Sequence, residues 1–526
     1  MDNCNSAPYM NADIASKKWS FEIPPDPIDD VLISNTVVAD LVVVGEGMSG
    51  LCTALSAAEA GLDTVIVTAS SKPVGRGGSV FAVYSKVMQR LGYPKFDPTD
   101  FFLHEFASNS YNVDQRKWYS FYNNSEESMN WLIDMLEADG LRIVLENGNT
   151  DDPHSPTTQP IGTHGFTDGS ITFAGLGITF ALKTLEKNFL ARGGKVAYRN
   201  VAKQLVKDSA TGRITGVIAV TEDGGYVKYS AKKAVVLATG DFSANRDMMA
   251  KYCPAYAQYF TSANTNYDVA FHEKGLYRGE GHLMALWAGA AWQRTFPNAP
   301  LIQGSRVCSN MPYGAHRGLR LNRNGERFMN EDANAPYSAF AILREPGQTA
   351  YAIWGTNYAY DIGWHAHGST RGSAATPPDS VIQKWESEVE KGNYVKGSTL
   401  AEVVDMLGLP HEKTLHEIER YNEICRNGAD TDFYKKAKYL QEIKDAPFYG
   451  GSMGQYRFFS VLGGPRTNIN MQICDENDKP LGGLYAAGTM IGDMYANCYN
   501  FRIAGHNYGV CLTFGYMTGK YIAENE

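Results

Sequence analysis

An α/β fold interrupted by an inserted second domain is predicted from three observations. The stretch Ala39-Asp-Leu-Val-Val-Val-Gly-Glu-Gly-Met-Ser-Gly-Leu51 carries an apolar β-rich run into Gly45, Gly47 and Gly50 at G-x-G-x-x-G spacing. An Ala-rich helical pattern then leads to a second apolar run, Thr64-Val-Ile-Val67, which completes a βαβ unit. Two later apolar strands also end in glycine turns, Ala234-Val-Val-Leu-Ala-Thr-Gly240 and Gly483-Leu-Tyr-Ala-Ala-Gly488. Between them, from about Phe296 to Ala446, the composition shifts to charged helices and aromatic loops. The expected division is an N-terminal arm over residues 1–35, a nucleotide domain over 36–296 and 447–526, and a cap over 297–446.

The glycines of the first turn have separate tasks. Gly45 allows the tight turn, Gly47 lets the backbone approach a pyrophosphate, and Gly50 lets helix and strand pack closely, while the helix N-terminus faces the phosphates. One feature of such sites is missing. Where an acidic residue usually holds the adenosine ribose, the second strand ends in Val67-Thr-Ala-Ser-Ser-Lys72, so Thr68 or Ser70 is left to offer an uncharged hydroxyl.

Composition narrows the function. The chain has 526 residues, 44% hydrophobic and 20% charged, which is material for a large core and more than one domain. A formal net charge of -9 and a pI near 5.7 argue against general affinity for nucleic acid or anionic membrane. No window reaches the ~20 apolar residues of a membrane span, and the N-terminus lacks a basic and an apolar signal region, so a cytoplasmic location is expected. The eight cysteines are scattered, with no C-x-x-C, no haem attachment and no cluster run, which implies buried thiols and no electron relay. The eleven histidines show no H-x-x-x-H pair with acidic neighbours, and His365 and His367 lie in a Gly-rich loop, so no metal site is expected.

The remaining elements follow in order. The Pro-rich stretch Phe21-Glu-Ile-Pro-Pro-Asp-Pro-Ile28 reads as an extended arm packed across the body. Lys72-Pro-Val-Gly-Arg-Gly-Gly-Ser79 reads as a loop that makes a second close backbone approach to a ligand. From Pro98 to about Leu145 the pattern is helical, and Thr163 to Thr172 reads as a polar Gly-rich loop facing the cavity. A helix over Thr179–Arg192, a strand at Lys195–Tyr198 and a hairpin from Gln204 to Thr221 complete the first half of the nucleotide domain. A Gly turn and helix follow over Gly279–Ala290, with the helix N-terminus aimed at the ligand. The cap carries helices over Ser380–Lys391, Leu400–Leu407 and Leu415–Ala429, and Gly505–Glu526 is a closing helix.

Together, the first glycine turn, Gly77-Gly78-Ser79, the two later strand–Gly turns, Gly279-Glu-Gly281 with Ala288-Gly-Ala290, Asn324-Gly-Glu-Arg-Phe-Met-Asn-Glu331 and Gly463-Gly464 resemble the fumarate reductase and succinate dehydrogenase flavoprotein family. They run in the family's order from about residue 36 to the end. The resemblance implies a Rossmann-like FAD-binding domain, a cap over it, and hydride exchange between flavin N5 and a carbon–carbon bond next to a carbonyl. It implies noncovalent FAD, because Arg76-Gly77-Gly78-Ser79 carries no His to link the flavin. The flavin contacts it implies are Gly45, Gly47, Met48, Ser49 and Gly50 at the first turn, Thr68 on the second strand, and Gly77, Gly78 and Ser79 in the loop. Others are Ala202, Thr239 and Gly240, then Gly488, Thr489, Asn507 and Tyr508 near the end.

Three side chains are candidates for the reaction itself. Arg502, in Arg502-Ile-Ala-Gly-His-Asn-Tyr-Gly-Val-Cys-Leu-Thr-Phe-Gly515, looks like the family's carboxylate-gripping Arg, and a guanidinium suits bidentate binding. Fumarate reductases place an acid-delivering Arg four residues beyond the Glu of the N-E motif, and here that position is Ala335. Instead, Glu331-Asp-Ala-Asn-Ala-Pro-Tyr337 looks like the loop of the 3-ketosteroid dehydrogenases, which makes Tyr337 the candidate acid or base. The substrate-binding His before Gly463-Gly464 is replaced by Ser460, which can donate one hydrogen bond but carries no charge. Tyr449 either lines the pocket or packs the core.

The expected activity is an FAD-dependent oxidoreductase acting on CH–CH groups, a reductase of a C=C bond in a 3-oxo-Δ4 steroid, a bile-acid-like enone or an aryl enoate. It would draw electrons from a donor outside the chain. A steroid-type dehydrogenase that forms the double bond is the alternative, and a flavin-binding sensor without turnover is the second.

Overall fold

The computed structural model describes residues 19–75, 78–145, 161–169, 177–257, 276–303, 318–333, 335–360, 378–452, 457–499 and 503–526. The nucleotide domain is built on β1 (Ile33–Val44), α1 (Met48–Glu59), β2 (Thr64–Val67), β3 (Lys195–Ala197), β4 (Tyr226–Leu237) and β5 (Pro480–Ala486). The sheet order is β5, β4, β1, β2, β3, all parallel, with Gln472–Cys474 added antiparallel at the β5 edge. The expected hairpin, Val201–Lys207 with Ile214–Val220, pairs antiparallel onto β4.

A sheet covered on both faces explains why these strands read as unbroken apolar runs. Val42, Val44, Val65, Val67, Val235 and Leu237 point into one core, and Leu41, Val43, Ile66, Ala234 and Val236 into the other. On the second face lie α1, the helix Ile178–Ala191 and the closing helix His506–Asn525. Among the described residues, no helix is long and apolar enough to cross a membrane.

Several expectations change. The stretch read as helical from Pro98 is two helices, Pro98–Ser108 and Gln115–Ala138, followed by a strand, Arg142–Leu145. The expected cavity loop begins as a strand, Thr163–Thr167, held between Arg142–Leu145 and Ser79–Phe81. Its glycine suggested a loop, but Thr163, His164 and Phe166 are buried and two neighbouring strands supply the ladder. The arm is anchored by buried Phe21, whose carbonyl accepts a hydrogen bond from Trp287 Nε1 at 2.9 Å. Its expected end at residue 35 already lies inside β1.

The cap carries a four-stranded antiparallel sheet, ordered Arg320–Leu321, Tyr351–Gly355, Phe448–Ser452, Val395–Gly397, over a core that also takes in Phe21, Phe242, Met248 and Tyr252 from outside its expected bounds. Phe448–Ser452 lies beyond the boundary expected at residue 446, yet its pairing places it in this sheet. Tyr449 on that strand is core: its ring packs on Trp354 and Trp385 and its hydroxyl donates to Glu386 at 2.6 Å. A ribbon of Ala299–Gln303 against Arg457–Leu462 joins the cap to the nucleotide domain.

Candidate functional site

The carboxyl ends of β1, β2 and β4 open into one cleft with about 1480 Å³ of empty volume. Val44 and Gly45, Val67 and Thr68, and Ala238 to Gly240 form its floor, which is where open α/β sheets bind their ligands. Gly45 has φ +108°, and a Cβ there would stand 2.4 Å from the Ala238 carbonyl oxygen. A Cβ on Gly50 would stand 2.0 Å from the Gly45 carbonyl oxygen, so this glycine sits behind the turn and lets α1 close onto it. Gly47, Met48 and Ser49 line the cleft with the first backbone groups of α1 turned toward it.

Of the other expected flavin contacts, Gly78, Ser79, Ala202, Thr489, Asn507 and Tyr508 also line the cleft. Gly488 does not: it backs the wall, where a Cβ would meet Ser49 Oγ at 2.3 Å. Gly77 lies outside the described residues. Thr68 Oγ1 and Ser70 Oγ share a hydrogen bond of 2.8 Å.

Two buried acceptors in this cleft have no partner, Asn507 Oδ1 and the carboxyl of Glu46. Asn507 is fixed by its amide, which donates to Thr489 Oγ1 at 3.0 Å, so its carbonyl oxygen awaits a donor. A flavin dinucleotide carries N–H and ribose O–H donors, and the glycine cradle with the helix N-terminus receives its pyrophosphate, so the residues fit FAD.

The catalytic candidates are placed differently. Ser460 lines the cleft, and its hydroxyl donates to Asp241 Oδ2 at 2.7 Å. Asp241 is buried beside Gly240 and also accepts from Ser243 N and Oγ, at 3.0 and 2.8 Å, and from Val461 N at 3.3 Å. The one proton that Ser460 was expected to offer a substrate is thus directed at Asp241, and its oxygen remains as an acceptor. Tyr337, half-buried near the start of helix Ala335–Leu343, is not among the residues that line this cleft. Arg502, His365 and His367 lie outside the described residues.

The N-E motif proves structural in its contacts. Glu331 accepts from Arg327 Nε and Nη2 at 2.9 and 2.8 Å, and the same guanidinium pairs with Asp430 at 3.1 and 2.7 Å, all of it buried. Lys435 Nζ adds a contact to Glu331 at 3.4 Å. Near the cleft, burial pushes His282 down to about 4 against the opposing charge of Asp241, so it stays neutral, with Nε2 3.2 Å from the Gly463 carbonyl.

Asp241 and Glu46 were not found from the sequence. The signal for Glu46 was a charged residue between two glycines that exist for close backbone approach. For Asp241 it was an acid in the place directly after a strand–Gly turn.

Comparison with known proteins bears out the flavoprotein resemblance. The chain is 26% identical over 512 residues to the vinyl phenol reductase of Lactiplantibacillus plantarum, covering 92% of this chain and 96% of that one. It is 25% identical over 344 residues to the NADH:acrylate oxidoreductase of Vibrio harveyi, of whose length it spans only 32%. Its fold is that of the 3-ketosteroid-Δ4-(5α)-dehydrogenase of Rhodococcus jostii, with a TM-score of 0.71, 23% identity and coverage of 93% and 97%. The family model of the FAD binding domain matches residues 40–500; with its glycine cradle and its two waiting acceptors, the chain belongs to that family and is an FAD-dependent oxidoreductase.

Proposed function

We propose that the chain is a reductase of a C=C bond conjugated to a carbonyl or an aromatic ring, with a 3-oxo-Δ4 steroid, a bile-acid-like enone, an aryl enoate or a vinyl phenol as substrate class. The observation that carries this reading is the Ser460–Asp241 pair: a neutral hydroxyl backed by a buried carboxylate stands in the cleft wall, a poor seat for a dicarboxylate and a good one for an uncharged ring. The full-length similarity to a vinyl phenol reductase supports it.

When bound, FAD supplies a hydride to one alkene carbon. The other carbon needs a proton, which this reading assigns to Tyr337, brought in by the cap. Arg502 grips the activating carbonyl or carboxylate so that negative charge develops where it is stabilised. Ser460, its proton directed at Asp241, orients the substrate by accepting from a ring hydroxyl or by packing against an apolar edge. Two electrons per turnover come from an external donor, for which the NADH named in the Vibrio relative is a model. Anaerobic return of oxidised flavin on adding the alkene tests this reading.

A further inference from the structure

We propose that Glu46 is the ribose ligand of this chain's FAD, with its carboxylate accepting hydrogen bonds from the 2′ and 3′ hydroxyls of the adenosine ribose. The inference rests on the FAD assignment and is independent of the substrate reading.

The need comes from the end of β2. An acid there would accept from the ribose diol with full charge, but position 68 is a threonine whose hydroxyl bonds Ser70. Neither hydroxyl can offer two charged acceptors to a vicinal diol. The supply comes from the turn one strand away. Glu46 follows Gly45 at the end of β1, and β1 and β2 are neighbours in register up to Val44 opposite Val67. Both Glu46 and Thr68 line the same cleft.

Glu46 is 1% exposed, and neither carboxyl oxygen has a hydrogen-bond partner. A buried carboxyl without partners carries an uncompensated desolvation cost, and a site retains one when a ligand provides the donors. Its backbone is fixed, since its carbonyl accepts from Val74 N at 3.4 Å. The titratable groups that face it among the described residues are Glu186, from the helix Ile178–Ala191, and Tyr198, beyond β3. The Tyr198 hydroxyl already donates to Glu186. Burial, with the charge of Glu186 added, pushes the Glu46 carboxyl up to about 8; the nearby Tyr198 hydroxyl acts in the opposite sense, and donors arriving with a ligand would favour the ionised form further.

The test is FAD binding to apoprotein, followed by flavin fluorescence, with FAD and with an analogue built on 2′-deoxyadenosine. Wild type is expected to bind FAD about 10- to 100-fold more tightly than the deoxy analogue, the size of one hydrogen bond to a charged group. Glu46→Ala removes that discrimination, Glu46→Gln keeps a fraction of it, and Thr68→Val leaves it intact. If wild type binds both dinucleotides equally, the proposal is overturned, whatever the fate of the variants. It is equally overturned if Thr68→Val abolishes the discrimination while Glu46→Gln retains all of it. The melting temperature of each apoprotein shows whether a variant is folded; should Glu46→Ala not fold, Glu46→Gln carries the comparison.

Discussion

Ser460 Oγ lies 2.7 Å from Asp241 Oδ2 and donates to it, at the edge of the cleft and across 219 residues of sequence. Asp241 accepts from Ser243 N and Oγ, Ser460 Oγ and Val461 N, so it fixes β4's terminal turn to the ribbon that carries Ser460. Asp241→Ala leaves those donors buried and unmet. We expect it to lower unfolding stability by about 1–3 kcal/mol, read by urea denaturation of the FAD-loaded protein. An unchanged midpoint and slope would show that the carboxylate does not hold the two elements together.

Arg327 bridges Glu331 and Asp430 with side chains that are almost wholly buried. Arg327→Leu takes the guanidinium from two buried carboxylates, leaving Glu331 to Lys435 and Asp430 to its backbone donors, and breaking a buried pair costs about 3–5 kcal/mol. Thermal unfolding of the variant should show the loss. A loss below about 1 kcal/mol would mean that water reaches this network.

Tyr337→Phe should slow substrate-driven flavin reoxidation by about 10²–10⁴-fold, because general acid catalysis contributes on that scale. Hydride transfer would otherwise wait on water. A rate within twofold of wild type would move the proton donor elsewhere. Arg502→Ala should raise KM steeply for an aryl enoate and much less for a neutral vinyl phenol. Equal effects on both would remove its role as a carboxylate anchor.

Glu46 also makes apoprotein stability depend on pH. Its carboxyl rises from 4.5 to about 8 on folding, so the folded chain holds a proton that the unfolded chain has released between those values. Its stabilising effect is therefore complete below pH 4.5 and is lost as pH rises toward 8, by at most about 1.4 kcal/mol per pH unit. His164 and His282, both pushed down to about 4 by burial, act in the opposite sense, losing stability as pH falls from 6.5. The comparison is thus wild type against Glu46→Gln, and the difference in Tm should change between pH 5 and pH 8. A constant difference would contradict the buried, protonated carboxyl.

The nucleotide domain was legible because its physics is local. Alternating faces of Val42, Val43 and Val44, and turns that only glycine makes without strain, are written in adjacent residues. Phe448–Ser452 lies beyond the boundary that the composition shift suggests, because its place is set by its neighbours in the cap sheet, which supply the ladder. Thr163–Thr167 was misread for the same reason. At the site, the glycine cradle was found and the buried acids were not. Glu46 and Asp241 are single charges without periodicity, and what defines them is a partner far away in sequence or none at all.

The decisive measurement reduces the FAD-loaded protein chemically under anaerobic conditions and adds one alkene at a time: 4-vinylphenol, a cinnamate-like acid, a 3-oxo-Δ4 steroid, and fumarate as comparator. A reductase of the proposed class returns oxidised flavin with at least one of the first three and not with fumarate. If none of the three restores it, while a saturated 3-oxo steroid bleaches the oxidised protein, the chain forms the double bond and the reductase reading is wrong.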